Sequence, residues 1–350
     1  MSKYAPTSGI NRVLVIRFSS LGDVVLLSCL FRELKNIFPQ AKIDFVTLAE
    51  FSEIHSLSPH INEIISWPRL HHIKSLWILA GLLKINKNYD LVIDAHKSTR
   101  SLIIWLRYLF SKAMWLKLNK KTWQRQLLIS FKFNILKKNP SRRQTYLDIL
   151  KKFTNTNKLN NLSEIFVDES IEQRLNQKIS LNKINNYIVV TPGASCKLKQ
   201  WPIENFIKSC LKLSQNNHFI IVGGSDDDLS RQLADKLAGK AINLAGTLTI
   251  LETCALLKHA RYVISNDSAL THLAEAVGTP ALVIYGPTVK EFGFTPQLAL
   301  SEIIEVNLPC RPCSKNGSGR CKNSNYLECL TSITPEQVII SARKLEKSLN

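Results

Sequence analysis

The chain has 350 residues, 45 % apolar and 21 % charged, with 46 Lys+Arg against 27 Asp+Glu and a formal net charge of +19. This composition excludes a disordered, collagenous or coiled-coil chain, and the length favours two domains over a single core. Eight cysteines are too few for a disulfide scaffold, and no apolar run nears the roughly 20 residues of a membrane span. The N-terminal segment carries no signal-peptide core followed by a small-residue cleavage site, so a cytoplasmic protein with reduced thiols is expected.

In chain order, residues 13–17 are an apolar run ended by Ser19-Ser20-Leu21-Gly22-Asp23, which reads as a buried strand feeding a loop. Helical spacing follows over 23–38 and stops at Pro39. Residues 43–48 and 91–94 read as strands, with a helical stretch near 73–85 between them. This alternation predicts a parallel sheet covered on both faces. Residues 153–186 are polar and weakly patterned, and the domain linker is placed there.

Alternation then restarts. Strands are predicted at 187–191, 219–222, 241–244, 262–265 and 281–285, the last closing the series. Helices are predicted at 203–214, 227–237, 251–257, 268–277 and, after Pro335, 336–349. The fold class is therefore α/β, with two Rossmann-like doubly wound domains facing across a cleft and ligands at the carboxyl ends of the strands. The expected boundaries are 1–165, 180–334 and a C-terminal helix 335–350 packing back toward the N-terminal domain.

The charge is uneven. Residues 1–150 hold 23 basic and 9 acidic side chains, and residues 151–350 hold 23 and 18, giving +14 and +5. Residues 95–147 contain 13 basic residues and no acidic one. Such a field concentrates an anionic partner: nucleic acid, an anionic membrane or a phosphorylated substrate. Within it, 97–117 interleaves basic and aromatic residues at near-helical spacing, the pattern of a helix lying on a membrane surface or burying one face in its own domain.

Three loops at strand ends carry chemistry. In Ser19-Ser20-Leu21-Gly22-Asp23, Gly22 permits a tight backbone, the serines supply hydroxyls and Asp23 sits at a helix N-cap. Asn266-Asp267-Ser268-Ala269-Leu270-Thr271-His272 opens a helix, whose free N–H groups and dipole favour an anion such as phosphate. The third loop, 191–202, includes Ser195, Lys197, Lys199 and Trp201, and its lysines reach a phosphate as point charges. Gly286-Pro287-Thr288 ends the last strand of the series. No GxGxxG fingerprint is present, which disfavours a dinucleotide oxidoreductase.

Together, the 19–23 loop, Lys199-Gln200-Trp201-Pro202, the 266–272 motif and Tyr285-Gly286-Pro287-Thr288 make the chain resemble the lipopolysaccharide heptosyltransferases of glycosyltransferase family 9, over about residues 13–288. The resemblance implies a GT-B type fold, an acceptor-binding N-terminal domain and a C-terminal domain for ADP-heptose. It implies inverting transfer to the lipopolysaccharide inner core, with Asp23 as general base and no essential metal. It further implies that Ser195, Lys199, Asp267, Ser268, Ala269 and His272 hold the donor, with Asp227 near the ribose and Leu248 against the adenine. The acceptor it implies is lipid A–Kdo or a heptosylated inner core. Two departures stand out: Ser268-Ala269 where members often carry Thr-Gly, and Val289-Lys290 where Asp-Pro often follows.

Docking of the basic N-terminal half on the cytoplasmic face of the inner membrane is expected. No nucleic-acid partner is expected, because no recognised module is present. Open alternatives are another nucleotide sugar, a protein acceptor, a sugar-nucleotide epimerase and, from another class, a basic nucleic-acid-binding protein. Cys310, Cys313, Cys321 and Cys329 fall within 310–329 and are candidate ligands for a structural Zn²⁺, against the alternatives of reduced thiols or conditional disulfides.

Overall fold

The computed structural model of the chain describes residues 4–6, 8–67, 69, 77–78, 81, 88–136, 141–179, 186–215 and 217–349. Two compact units result: Met1–Lys120 with Pro140–Phe166, and Lys121–Asn139 with Val167–Asn350.

In the first unit the strands are β1 (Arg12–Ile16), β2 (Lys42–Leu48), β3 (Glu63–Trp67), β4 (Leu91–Asp94) and β5 (Met114–Lys117). They form a parallel sheet in the order β3-β2-β1-β4-β5. Val13 to Ile16 and Leu91 to Ile93 are fully buried, as central strands covered on both faces must be. The helix expected over 23–38 is two, α1 (Leu21–Leu26) and α2 (Ser28–Ile37), interrupted at Leu27. A short α3 (Ala49–Ser52) follows β2. The helix expected near 73–85 lies outside the described residues, apart from positions 77, 78 and 81. The stretch 97–117 is not one helix. α4 (Thr99–Arg107), capped by Ser98, ends before Trp115, which lies in edge strand β5. Lys97 has φ +48, outside helical geometry.

α5 (Thr122–Phe131) belongs to the second unit, although the expected N-terminal domain included it. Its apolar side explains why: Leu128, Ile129 and Leu136 cluster with Phe292, Val289 and Phe294. Arg125 Nη2 donates to Phe292 O at 2.9 Å and Lys132 Nζ to Cys310 O at 2.8 Å. The chain then returns to the first unit with α6 (Arg142–Leu147).

The second unit contains α7 (Glu169–Lys178), β6 (Tyr187–Thr191), α8 (Ile203–Leu213), β7 (His218–Ile221), α9 (Asp228–Lys236), β8 (Ala241–Asn243) and α10 (Ile250–Lys258). It continues with β9 (Val263–Asn266), α11 (Ala269–Ala276), β10 (Ala281–Tyr285), β11 (Glu302–Glu305), α12 (Glu328–Thr331) and α13 (Pro335–Leu349). The sheet is parallel in the order β11-β10-β9-β6-β7-β8, so β10 does not close the series; β11 pairs outside it. Val338, Ile339, Ala342 and Leu345 of α13 join the core of the second unit, where the helix packs on α8, β10 and β11. Trp201, fully buried against Phe206, donates Nε1–H to Ile333 O at 3.0 Å and anchors the loop before α8.

Candidate functional site

Strand order reverses between β1 and β4 in the first unit and between β6 and β9 in the second. Ligands of doubly wound sheets bind outside the carboxyl ends of the strands at such points. The first reversal is where β1 delivers the 19–23 loop.

Asp23 is not the cap that its position suggests. Ser20 holds the N-cap place of α1 and Asp23 lies in the first turn, where its carboxylate is enclosed. Arg17 Nη2 stands 2.5 Å from Oδ2, and Arg142 Nε donates to Oδ1 at 3.2 Å. Tyr146 Oη donates to Oδ1 at 2.7 Å, and Ser20 Oγ to Oδ2 at 3.4 Å. Arg17 and Arg142 are almost wholly buried, while the Asp23 side chain is 15 % exposed. Burial by itself raises the Asp23 pKa. Arg17, then Arg142, with hydrogen bonds from Tyr146 and Arg142, outweigh burial and hold the carboxyl well below the usual range. Arg17 Nη1 donates to Ala95 O at 2.7 Å, tying this cluster to the loop after β4. His96, on that loop, is pushed down to about 3 by burial and then by Arg17, so it is neutral.

At the second reversal, Thr191 and Ser265 are register partners on β6 and β9, and Thr191 Oγ1 donates to Ser265 Oγ at 2.6 Å. Ser265 Oγ lies 3.1 Å from Ser268 Oγ at the start of α11. Asn266 Nδ2 donates to Pro192 O at 2.6 Å, and its Oδ1 accepts Trp201 N–H at 3.0 Å. This fully buried asparagine thus clamps the loop after β6 to the end of β9. Lys199 is thereby brought to Asp267: Nζ to Oδ2 is 2.7 Å, with both side chains 12 % exposed. Thr288 Oγ1, after β10, donates to the same Oδ2 at 2.6 Å. Ser268 is the N-cap of α11 but makes no side-chain cap bond, so the helix N-terminus is not closed by its own cap. The three loops converge on a lysine, a helix N-terminus and hydroxyls, the chemistry that receives a phosphate.

A family model described as "Glycosyltransferase family 9 (heptosyltransferase)" matches residues 82–326. The chain belongs to glycosyltransferase family 9. It is 24 % identical, over 95 % of its length and 99 % of the relative's, to lipooligosaccharide heptosyltransferase 2 of Haemophilus influenzae. The crystal structure of the glycosyl transferase family 9 protein from Veillonella parvula superposes with TM-score 0.80 at 20 % identity, covering 97 % of this chain and 98 % of that one. The structure of Escherichia coli ADP-heptose LPS heptosyltransferase II superposes with TM-score 0.75 at 22 % identity, covering 96 % and 99 %. The fold is theirs, and the two parallel α/β units expected from the sequence are present.

The other residues singled out in this family 9 glycosyltransferase fall as follows. Among the three consecutive aspartates at 226–228, Asp227 turns its carboxylate onto the glycines after β6 and β7. A Cβ on Gly193 or Gly223 would lie 2.3 or 2.4 Å from Asp227 Oδ2, so a side chain at either position would displace that carboxylate. Ser230 Oγ donates to that oxygen at 2.8 Å. Ser195 is exposed on the loop after β6, and Leu248 and Ala269 are half-buried. His272 is buried one turn into α11, its ring 6.2 Å from that of Phe294. Ser19 is half-buried. Gly22 is helical, in the first turn of α1 rather than in a tight loop, and has no positive φ.

For the cysteine segment, the zinc alternative finds no support and the reduced-thiol alternative does. Among the described residues, no group of three or more His, Cys, Asp or Glu is placed to hold a metal ion. Cys310, Cys313, Cys321 and Cys329 are free thiols. Burial raises the Cys313 and Cys329 pKa values, the latter to about 11. The segment borders the site: a Cβ on Gly317 (φ +83) would lie 2.7 Å from Lys199 Cγ. The sequence reading missed Arg17, Arg142, Tyr146 and Ser265 as partners, and it quoted Thr288 as part of a motif without its bond to Asp267. Their only local signals are polar residues at strand ends and an Arg142/Tyr146 pair at i, i+4, which places both on one face of α6.

Proposed function

We propose that the chain transfers heptose from ADP-heptose to the inner core of lipopolysaccharide, inverting the anomeric centre. The observation that carries this reading is the Lys199–Asp267 pair beside the open N-terminus of α11, at the strand-order reversal of the second unit. The name of the Escherichia coli relative supplies the donor and acceptor classes.

Lys199 and the α11 N–H groups meet the diphosphate, whose charge grows as ADP leaves. Aimed at that charge, they stabilise the transition state more than the ground state. Ser268, Ala269, His272 and Ser195 line the same pocket, Asp227 meets the ribose and Leu248 the adenine. Asp23 takes the proton of the acceptor hydroxyl as it attacks, a role worth about 10²–10⁴-fold in rate. Ser19, Ser20 and Gly22 form the acceptor loop beside it. Calorimetry of ADP against UDP, GDP and NAD with EDTA present tests the donor half. Preferential ADP binding that survives EDTA is expected, and preference for UDP or GDP discards ADP-heptose.

The acceptor half includes peripheral attachment to the cytoplasmic face of an anionic membrane. Among the described residues no helix is long and apolar enough to cross a membrane. α4 and its following turn present Leu102, Leu106, Leu109 and Phe110 to solvent, Phe110 at 92 % exposure, inside the stretch 95–147 that lacks any acidic residue. Apolar side chains among cations suit an anionic lipid surface. Flotation with phosphatidylglycerol vesicles should exceed that with phosphatidylcholine vesicles and fall with salt and with Phe110→Glu. Equal binding to both vesicle types contradicts the attachment.

A further inference from the structure

We infer that Arg142 and Tyr146 are positioning residues that fix Oδ1 of Asp23 and leave Oδ2 as the oxygen that takes the acceptor's proton. The inference rests on the reading of Asp23 as base.

An ionised carboxylate offers about four acceptor sites. On Oδ1, Tyr146 Oη at 2.7 Å and Arg142 Nε at 3.2 Å fill two, and both come from one face of α6. On Oδ2, Arg17 Nη2 fills one from the end of β1. The fourth is held by Ser20 Oγ at 3.4 Å, the longest of these contacts and the one from an exposed side chain. An incoming acceptor hydroxyl meets Ser20 first, and its O–H donates where the serine did. Displacing Arg142 or Tyr146 instead would uncover a buried guanidinium or phenol.

The step balances. The acceptor oxygen bonds to the anomeric carbon and the bond from that carbon to the ADP oxygen breaks. Its electron pair leaves on the phosphate, and the acceptor proton passes to Oδ2. The attacking oxygen becomes strongly acidic only as its bond to carbon forms. A carboxylate of low basicity therefore accepts the proton once that bond is advanced, and returns it to water afterwards. Tyr146 is a donor here, not a rival base, because burial raises its phenol above the ordinary range. The groups facing Asp23 are Arg17 and Ser20 on the loop after β1, Arg142 and Tyr146 on α6, and His96 on the loop after β4. Burial and then Arg17 push His96 down to about 3, so it is neutral at the pH of turnover.

The test is the pH dependence of kcat for the full chain, wild type against Tyr146→Phe and Arg142→Gln, with Asp23→Asn alongside. Both variants should lose about 10–100-fold in kcat, the size expected of a misplaced catalytic group, with KM little changed. Their acid limb should rise toward the ordinary carboxylate value of about 4, because a lowering influence has gone. The wild-type limb should lie below that. Thermal melting and ADP titration verify that each variant is folded. If Tyr146→Phe does not fold, Arg142→Lys serves, since it keeps the charge and removes the Nε–H. Folded variants that keep kcat, or lose it without movement of the acid limb, overturn the inference. Undiminished turnover by Asp23→Asn would instead remove the base reading beneath it.

Discussion

Asp23 in the first unit and Asp267 in the second follow parallel strands at the point where strand order reverses, and each lies at the start of a helix. Their surroundings differ. Asp23 is held by two buried arginines and a tyrosine, an excess of cation over anion, with Arg142 and Tyr146 more than a hundred residues away in sequence. Asp267 is matched by one lysine and one threonine hydroxyl. Guanidinium forks are rigid and always charged, whereas a lysine is a point charge on a flexible stem. The first arrangement keeps a carboxylate ionised and oriented. The second parks a cation beside an open helix N-terminus, from which it can turn to a phosphate.

The comparison is broken most severely at its base. Asp23→Asn should lower turnover by about 10²–10⁴-fold while ADP binding by the second unit persists; retained turnover in a rate assay removes the base. The same variant sharpens the electrostatic half. A carboxyl whose pKa is lowered on folding stabilises the protein above its unfolded value of about 4, and that contribution is lost as pH falls through and below it. The stability gap between wild type and Asp23→Asn in urea titrations should therefore be wide at pH 7 and narrow below pH 4. A gap independent of pH would mean that the arginine cage does not act on Asp23.

Lys199→Ala should weaken ADP binding about 10–100-fold, corresponding to a charge-assisted hydrogen bond of about 1.5–3 kcal/mol. Unchanged affinity in calorimetry would confine Lys199 to its pairing with Asp267. Thr288→Val has the smallest expected effect. It removes the 2.6 Å bond to Asp267 Oδ2 and should cost about 1 kcal/mol of stability, read as a small fall in Tm, with turnover reduced only a few-fold.

Much of this was legible in the sequence, for physical reasons. Central strands such as β1, β4 and β6 are buried on both faces and appear as largely apolar runs, and the loops after β1, β6 and β9 carry Asp23, Lys199 and Asp267. Edge strands do not announce themselves: Met114-Trp115-Leu116-Lys117 is only partly buried and was absorbed into a helical pattern. Helix α5 joined the wrong unit because its partners, Phe292 and Phe294, lie more than 150 residues away. The cage on Asp23 escaped for the same reason, since nothing local to Arg142 and Tyr146 says what they face. The four cysteines left zinc, reduced thiols and disulfides open, and nothing in their spacing says that Gly317 of that segment lies against the stem of Lys199.

The most direct test is ADP release from ADP-heptose by the purified chain, with EDTA present, with and without an inner-core lipopolysaccharide acceptor, for wild type and Asp23→Asn. The account predicts release that requires both the acceptor and Asp23. Wild-type protein that releases no ADP with acceptor present, or an Asp23→Asn variant that releases it at the wild-type rate, would contradict the account.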